Sequence, residues 1–408
     1  MKRILLVDLA PSPGGSIVSL LQLVAHLDRE AFAPTMVLSH VLRHPALDAL
    51  GVPLVRLRTP WWEQPTSSLV QRVRRSAVGD AMRSHPARAW LWHRLGDLRR
   101  LVRDLLPAAW SMVKVIRRTR PDLVHLNDAL PLVRPALLAC RLTRTPALAH
   151  VRSFLLPSRL DAHLLAPGLV GLIFNSQAVA NAQLAALPRP PLHQVIPNAV
   201  DLAEFSRPVD CGRVRQELGV PPDAPLVGMF GRIAPWKGQT VFVEAMARVA
   251  AQLPTARGWI VGGAEGESGA AYLQQVQTAL ATHGLTDRVR LLGHRDDVPR
   301  LMAAVDAVAH CSVEPEPFGR VIIEGMAAGR PVVASAAGGA AEIVTSGVDG
   351  LLTPPGDAGA LADALLRVLT DPATARRLAQ AARRTVAQRY TVDAHVAAVQ
   401  AFYRRLLA

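Results

Sequence analysis

The sequence predicts an α/β protein built from two Rossmann-like halves, each a parallel sheet wrapped by helices. Three observations carry that prediction. Short apolar or β-branched runs alternate with longer helical stretches along the chain, the pattern of parallel α/β sheets. At 408 residues there is enough chain for two domains with full cores. The turn-rich run Ile196-Pro197-Asn198-Ala199-Val200-Asp201 closes the first series of strands and marks the boundary. The expected domains are 1–200 and 201–390, followed by a C-terminal helix at 391–408.

The elements follow in order. The opening run Met1-Lys2-Arg3-Ile4-Leu5-Leu6-Val7 has the look of a signal peptide, but Asp8 interrupts it. Pro11-Ser12-Pro13-Gly14-Gly15 then reads as a loop, so residues 3–8 are assigned a first strand. A helix follows, with apolar positions at Ile17, Leu20, Leu21, Val24 and Leu27. Further strands of the first half are expected at 35–39, 53–57, 123–126, 147–151, 169–174 and 194–196. Those of the second half are expected at 226–230, 258–261, 289–292, 307–310, 331–334 and 350–352. Ser176 is a natural N-cap after the strand at 169–174, and Asp296-Asp297 are placed to cap the helix after 289–292. Asp371-Pro372 reads as a helix start, Asp as N-cap and Pro at the first helical position. A break near Tyr390-Thr391-Val392-Asp393 leaves Thr391 or Asp393 to cap a final helix.

One stretch breaks the alternation. About residues 61–120 show no strand and are rich in Trp and Arg, with Trp61, Trp62, Trp90, Trp92 and Trp110 among them. This reads as a helical insertion. Basic helices with aromatic faces are suited to peripheral contact with an anionic membrane. A solvated insertion whose Trp side chains pack internally fits the same residues.

Composition limits the classes. Half of the residues are apolar, which excludes a disordered chain, and no apolar run reaches the length of a membrane span. Cys140, Cys211 and Cys311 are far apart and have no metal-ligand spacing, which fits a reducing cytoplasm. The net charge is +14, almost all of it from arginine; the lysines are Lys2, Lys114 and Lys237. That surplus favours anionic partners such as nucleotide sugars, acidic lipids and acidic glycans. No nucleic-acid-binding motif accompanies the arginines, so nucleic acid is not expected as a partner.

Two segments carry chemistry. The first is Glu316-Pro317-Phe318-Gly319-Arg320-Val321-Ile322-Ile323-Glu324, continuing to Ser335 through Gly329-Arg330-Pro331. With a helix starting near Gly319, the glutamates are a little over two turns apart, about 12 Å of rise. Glu316 then lies in the loop before the helix and Glu324 on its second turn. Backbone N–H groups at Gly319 are left free to meet an anion. The second is Gly231-Arg232-Ile233-Ala234-Pro235-Trp236-Lys237-Gly238, between a strand and a helix. Strand end, glycine and helix start make an anion site, with Arg232 a bidentate fork and Lys237 a point charge. Gly262-Gly263-Ala264-Glu265-Gly266 lacks the spacing of a dinucleotide loop.

The stretch from Glu316 to Ser335 resembles the E-x7-E signature of retaining glycosyltransferases of the GT-B fold, family 4 in particular. Gly231-Arg232 with Lys237-Gly238 is similar to that family's G-R-x4-K-G motif. The resemblance covers nearly the whole chain, is closer in the second half, and implies a cleft between the two domains and a C-terminal helix at 391–408 that crosses back to the first. It implies a nucleotide-diphosphate sugar as donor substrate, no separate cofactor, and a glycan, lipid-linked or small-molecule acceptor. It implies that Arg232 and Lys237 contact the diphosphate, that Glu324 meets the ribose and that Glu316 meets the sugar hydroxyls. Gly231, Phe318, Gly319, Arg320 and Val321 would line the same donor site. Backbone at Gly293, His294 and Arg295 would touch the base, and the Gly14-Gly15-Ser16 loop would face phosphate and acceptor. Many relatives place a histidine at the end of the strand at 147–151. Here that place falls to Arg152, with His150 two residues earlier, and Asn127 stands where relatives often have His. No Asp-x-Asp occurs, the feature with which metal-dependent GT-A enzymes hold a divalent ion, so no metal is expected. The family also implies front-face attack by the acceptor hydroxyl. A sugar-nucleotide epimerase, a glycan phosphorylase or a non-catalytic nucleotide-sugar-binding protein on the same fold are the rival readings. The expected location is the cytoplasm, peripheral at the inner face of the membrane.

Overall fold

The computed structural model describes residues 1–10, 14–42, 44–58 and 105–408. They form two compact units. Unit 1 comprises Met1–Phe174, Ala180–Val195 and Val399–Ala408; unit 2 comprises Asn175–Val179 and Ile196–Ala398.

Unit 1 holds a seven-stranded sheet: β1 Lys2–Asp8, β2 Phe32–Ser39, β3 Leu54–Leu57, β4 Leu123–Asn127, β5 Ala147–Val151, β6 Leu169–Phe174 and β7 Leu192–Val195. The order is β3-β2-β1-β4-β5-β6-β7, and every neighbouring pair is parallel. Ile4 to Val7 of β1 are all buried, as expected for a strand covered on both faces. The helices are α1 Gly15–Ala25, α2 Leu106–Thr119, α3 Arg134–Thr143 and, from Ala180 onward, α4 Gln177–Ala185. Strand order reverses between β1 and β4, the place where an open parallel sheet leaves a crevice at its carboxyl ends.

Unit 2 holds a six-stranded sheet: β8 Leu226–Phe230, β9 Arg257–Val261, β10 Val289–Gly293, β11 Ala307–His310, β12 Val332–Ser335 and β13 Leu351–Thr353. Its order is β10-β9-β8-β11-β12-β13, all parallel, with the reversal between β8 and β11. The helices are α5 Leu202–Phe205, α6 Cys211–Glu217, α7 Gln239–Gln252, α8 Gly266–Thr282, α9 Val298–Ala304, α10 Arg320–Ala327, α11 Ala340–Ile343, α12 Ala358–Thr370, α13 Pro372–Arg389 and the start of α14 Val392–Leu407, which from Val399 onward belongs to unit 1. Successive strand residues point to opposite faces. Ile260 and Val333 therefore pack with Phe242, Met246 and Leu365 on one face. Trp259 and Val332 pack with Ile322, Ile323 and Met326 on the other.

Several boundaries differ from the sequence reading for identifiable reasons. β2 begins at Phe32, three residues earlier than 35, because it pairs in register with the whole of β1, from Lys2 with Phe32 to Asp8 with Leu38. β12 begins at Val332; Pro331 has no N–H, though its carbonyl accepts Val308 N at 3.0 Å. Asp371 caps α13, accepting from Ala373 N and Thr374 N, and Thr391 rather than Asp393 caps α14, accepting from Ala394 N at 3.2 Å. Ser176 accepts Val179 N at 3.1 Å. Asp297 makes no side-chain cap for α9 because it is engaged by arginine. Of the Trp/Arg-rich stretch, residues 59–104, with Trp61, Trp62, Trp90 and Trp92, lie outside the described residues. The described part is α2 and its flanks, where Trp110 is 56% exposed. Among the described residues no helix is long and apolar enough to cross a membrane.

Candidate functional site

In unit 2 the chemistry collects where β8 and β11 part. β8 ends at Phe230; Gly231 and Arg232 follow, then a 3-10 turn, Pro235–Lys237, and α7. Gly238 precedes α7 with φ +73, and a Cβ there would lie 2.1 Å from the Cys311 carbonyl oxygen. Only glycine lets this loop close on the end of β11. That approach brings Lys237 Nζ to 2.7 Å from Glu316 Oε2 and 4.2 Å from the centroid of the Trp236 ring.

Glu316 is buried, and its backbone is fixed by Gly339 N, which donates to its carbonyl at 2.7 Å. Besides Lys237, Ser312 Oγ donates to Oε2 at 2.9 Å and His310 Nε2 lies at 3.3 Å. Burial alone would push the carboxyl up. The Lys237 charge and the His310 contact outweigh it and hold Glu316 well below the usual carboxylate range, so it is ionised at neutral pH. α10 opens one turn later. Gly319, with φ +100, is its N-cap, and no side chain caps the helix. Glu324 is on the second turn, its Oε1 3.1 Å from Arg320 Nη2, and Arg320 Nη1 also donates to the Ala199 carbonyl at 3.3 Å. An ionised carboxylate beside a lysine, at an uncapped helix start, can accept from hydroxyls while its neighbours meet an anion.

Other expected donor-side residues are placed differently. Arg232 is half exposed and 3.3 Å from Glu265 Oε2. Phe318 points into the core, edge-on to Tyr390 with ring centroids 5.9 Å apart. Val321 packs partly against the same core. Gly293 ends β10 with φ +66, and its carbonyl accepts Gly262 N at 2.8 Å. His294 is exposed beside Asp296, and Arg295 donates twice to Asp297, at 2.7 and 2.8 Å.

In unit 1 the reversal between β1 and β4 gathers a second cluster. The register pairs Val7 with Leu126 and Asn127 with His150, so Asp8 and Asn127 end adjacent strands and Arg152 directly follows the next one, β5. Asn127 Nδ2 donates to Asp8 Oδ2 at 2.7 Å and to the Ser16 carbonyl at 3.3 Å. Arg152 Nε donates to Asn127 Oδ1 at 2.9 Å, and its Nη2 meets His150 Nδ1 at 3.1 Å. His150 and Arg152 are thus neighbours on one face, and both are buried. His125 stacks on His150 and pairs with the Tyr403 hydroxyl. Burial pushes the Asp8 carboxyl up to about 6, against hydrogen bonds from Ala10 N and Asn127. Asp128, half-buried at φ +92, is raised by burial as well. Gly14 and Gly15 are exposed at the start of α1, and Ser16 is half-buried.

Four of these residues escaped sequence reasoning. His310 and Ser312 hold Glu316, and Asp8 and Asp128 shape the unit 1 cluster. The signal was available: Asp8 and His310 are polar residues ending apolar strand runs next to a reversal of strand order.

Residues 212–385 match the family model described as glycosyl transferases group 1. The 2-deoxystreptamine glucosyltransferase of Streptomyces kanamyceticus is 31% identical over 328 residues, covering 74% of this chain and 82% of that protein. The lipopolysaccharide core biosynthesis mannosyltransferase LpsB of Rhizobium meliloti is 32% identical over 221 residues, covering 52% and 61%. Among solved structures, Anabaena HepE in complex with UDP and glucose is similar with a TM-score of 0.80 at 29% identity, over 99% of this chain and all of that one. The two parallel-sheet units are those of a GT-B glycosyltransferase. The chain belongs to the glycosyl transferases group 1 family and is a glycosyltransferase.

Proposed function

We propose that the enzyme is a retaining, metal-independent transferase that moves a sugar from a nucleotide-diphosphate sugar to an acceptor hydroxyl. The observation that carries this is the Lys237–Glu316 pair, 2.7 Å apart at the mouth of the uncapped helix α10. Lys237, Arg232 and the N–H groups at Gly319 would hold the diphosphate and stabilise the charge that grows on it as it departs. Glu316, kept ionised, would accept from hydroxyls of the donor sugar, and Glu324 from the ribose. Gly293, His294 and Arg295 would border the base. The bound UDP in the HepE structure supports a nucleotide donor. With these cations present, the departing phosphate needs no divalent ion and can take the proton of the incoming hydroxyl, which attacks from the same face. The epimerase and non-catalytic readings are not favoured.

Acceptor recognition would fall to unit 1, through Gly14, Gly15, Ser16, Asn127 and the His150–Arg152 pair. The names of the relatives span a small aminocyclitol and a lipopolysaccharide core, so glycan, lipid-linked and small-molecule acceptors all fit. Action in the cytoplasm, with peripheral contact to an anionic membrane through the Trp/Arg-rich stretch, completes the reading. A screen of UDP-, GDP- and ADP-sugars for turnover, with and without chelator, tests it. Turnover that survives chelation and releases a product of unchanged anomeric configuration is expected; abolition by chelator or inversion contradicts it.

A further inference from the structure

We propose that the turn after β5 is a docking surface for an anionic lipid bilayer. The proposal rests on the peripheral-membrane part of the reading above, but on different residues. Leu155, Leu156, Leu160 and Leu164 are between 47% and 53% exposed. Four large apolar side chains, each about half exposed on one short turn, are more than the single scattered exposures of an ordinary surface. Leu164 lies on the π-helical turn Asp161–Leu165, whose other side buries Asp161, Ala162 and Leu165, and Leu160 directly precedes it.

These leucines do not face outward for want of anchoring. Asp161 is fully buried and accepts from Arg134 Nε and Nη2, both at 2.6 Å. The Ser158 N–H and hydroxyl add two more bonds at 2.8 Å. Gln183 of α4 donates to the carbonyls of Ser153 and Leu155 at 3.1 and 3.0 Å. The turn is tied down from beneath, and its apolar edge is left to the outside.

Charge selects the occupant. α2 packs on α3, and α3 packs on the turn. Across residues 106–119, 134–144 and 153–168 the one carboxylate is Asp161, and Arg134 neutralises it. Arg141, Arg144 and Arg159 are exposed, and the stem of Arg141 lies 3.8 Å from the Cβ position of Gly168, at the end of the turn. Among the described residues no carboxylate forms an ion pair with these three arginines. Shallowly inserted leucines flanked by such arginines suit anionic headgroups over acyl chains. A nucleic acid would engage the arginines and leave the leucines in water. The turn begins one residue after Arg152, so a bilayer here would adjoin the unit 1 cluster, a place suited to an acceptor carried on a lipid.

The test is sedimentation of the full chain with phosphatidylglycerol/phosphatidylcholine vesicles and with phosphatidylcholine alone. It compares wild type, Leu160→Asp/Leu164→Asp, the milder Leu160→Ser/Leu164→Ser, and Trp61→Ser/Trp62→Ser. Wild type is expected to pellet with the anionic vesicles at low salt. The leucine variants should pellet at least tenfold less, with unchanged thermal midpoint and gel-filtration volume; the Ser pair decides if the Asp pair loses its thermal transition. Equal pelleting of the leucine variants overturns the proposal and leaves the peripheral-membrane reading to the tryptophan variant. No pelleting of wild type overturns both. A wild-type dimer that the leucine variants dissociate assigns the patch to a second copy and also overturns it.

Discussion

Lys237 Nζ meets Glu316 Oε2 at 2.7 Å across 79 residues of sequence, joining the loop after β8 to the loop before α10. Each group answers a need of the other. Buried Glu316 needs a cation to stay ionised and Lys237 supplies it, while in the proposed function Lys237 also meets the donor diphosphate. Donor binding would then draw the lysine toward phosphate and leave Glu316 free to take sugar hydroxyls in its place.

Lys237→Ala should lower turnover about 100-fold or more, the usual effect of removing one donor to a developing charge. It also strands a buried carboxylate, a loss of about 3–5 kcal/mol when one partner of a buried pair is removed. Adding Glu316→Gln should restore much of the thermal stability and none of the turnover. Steady-state kinetics with melting curves separate the two effects, and wild-type turnover in Lys237→Ala would refute the assignment.

Asp8 makes stability depend on pH in unit 1. Its folded pKa, about 6, lies above the ordinary 3.8, so the folded state holds the proton more tightly. The contribution is present below 3.8 and is lost as pH rises through 6. The rise from 3.8 to about 6 corresponds to about 3 kcal/mol. Urea midpoints at several pH values between 4 and 8 should show Asp8→Asn gaining on wild type as pH rises. Parallel profiles would remove Asp8 as the source.

Much of this was legible in the sequence because it is local. The apolar runs of parallel strands, the glycine opening α10 and the spacing of Glu316 and Glu324 are all read within a few residues. What escaped depends on contacts across strands. Asn127 joins Asp8 only because β4 lies beside β1, whereas Ser312 and His310, four and six residues from Glu316, reach it only because their own loop folds back on the end of β11. Asp8 looked like an interruption of a leader and is a buried carboxylate at a strand end. Phe318 sits in the motif yet packs on Tyr390, and Asp297 looked like a cap yet takes Arg295. Side-chain direction and competition between partners decide such cases, and neither is written in spacing.

Gly238→Ala tests the closeness of that loop. Its φ of +73 and the 2.1 Å approach to the Cys311 carbonyl leave no room for a methyl group. The loop or the end of β11 must move, costing about 2–4 kcal/mol, within the range of backbone strain and overpacking together. A thermal melt should fall accordingly and donor affinity should weaken with it. An unchanged melt would show that the loop has room to spare.

The central claim is that unit 2 binds a nucleotide sugar through Lys237 and Glu316. Calorimetric titration of wild type and Lys237→Ala with UDP-, GDP- and ADP-sugars tests it most directly. The account predicts that at least one nucleotide sugar binds wild type and that Lys237→Ala, still folded, binds it at least tenfold more weakly. Equal affinity in the two proteins, or no binding to wild type, would contradict it.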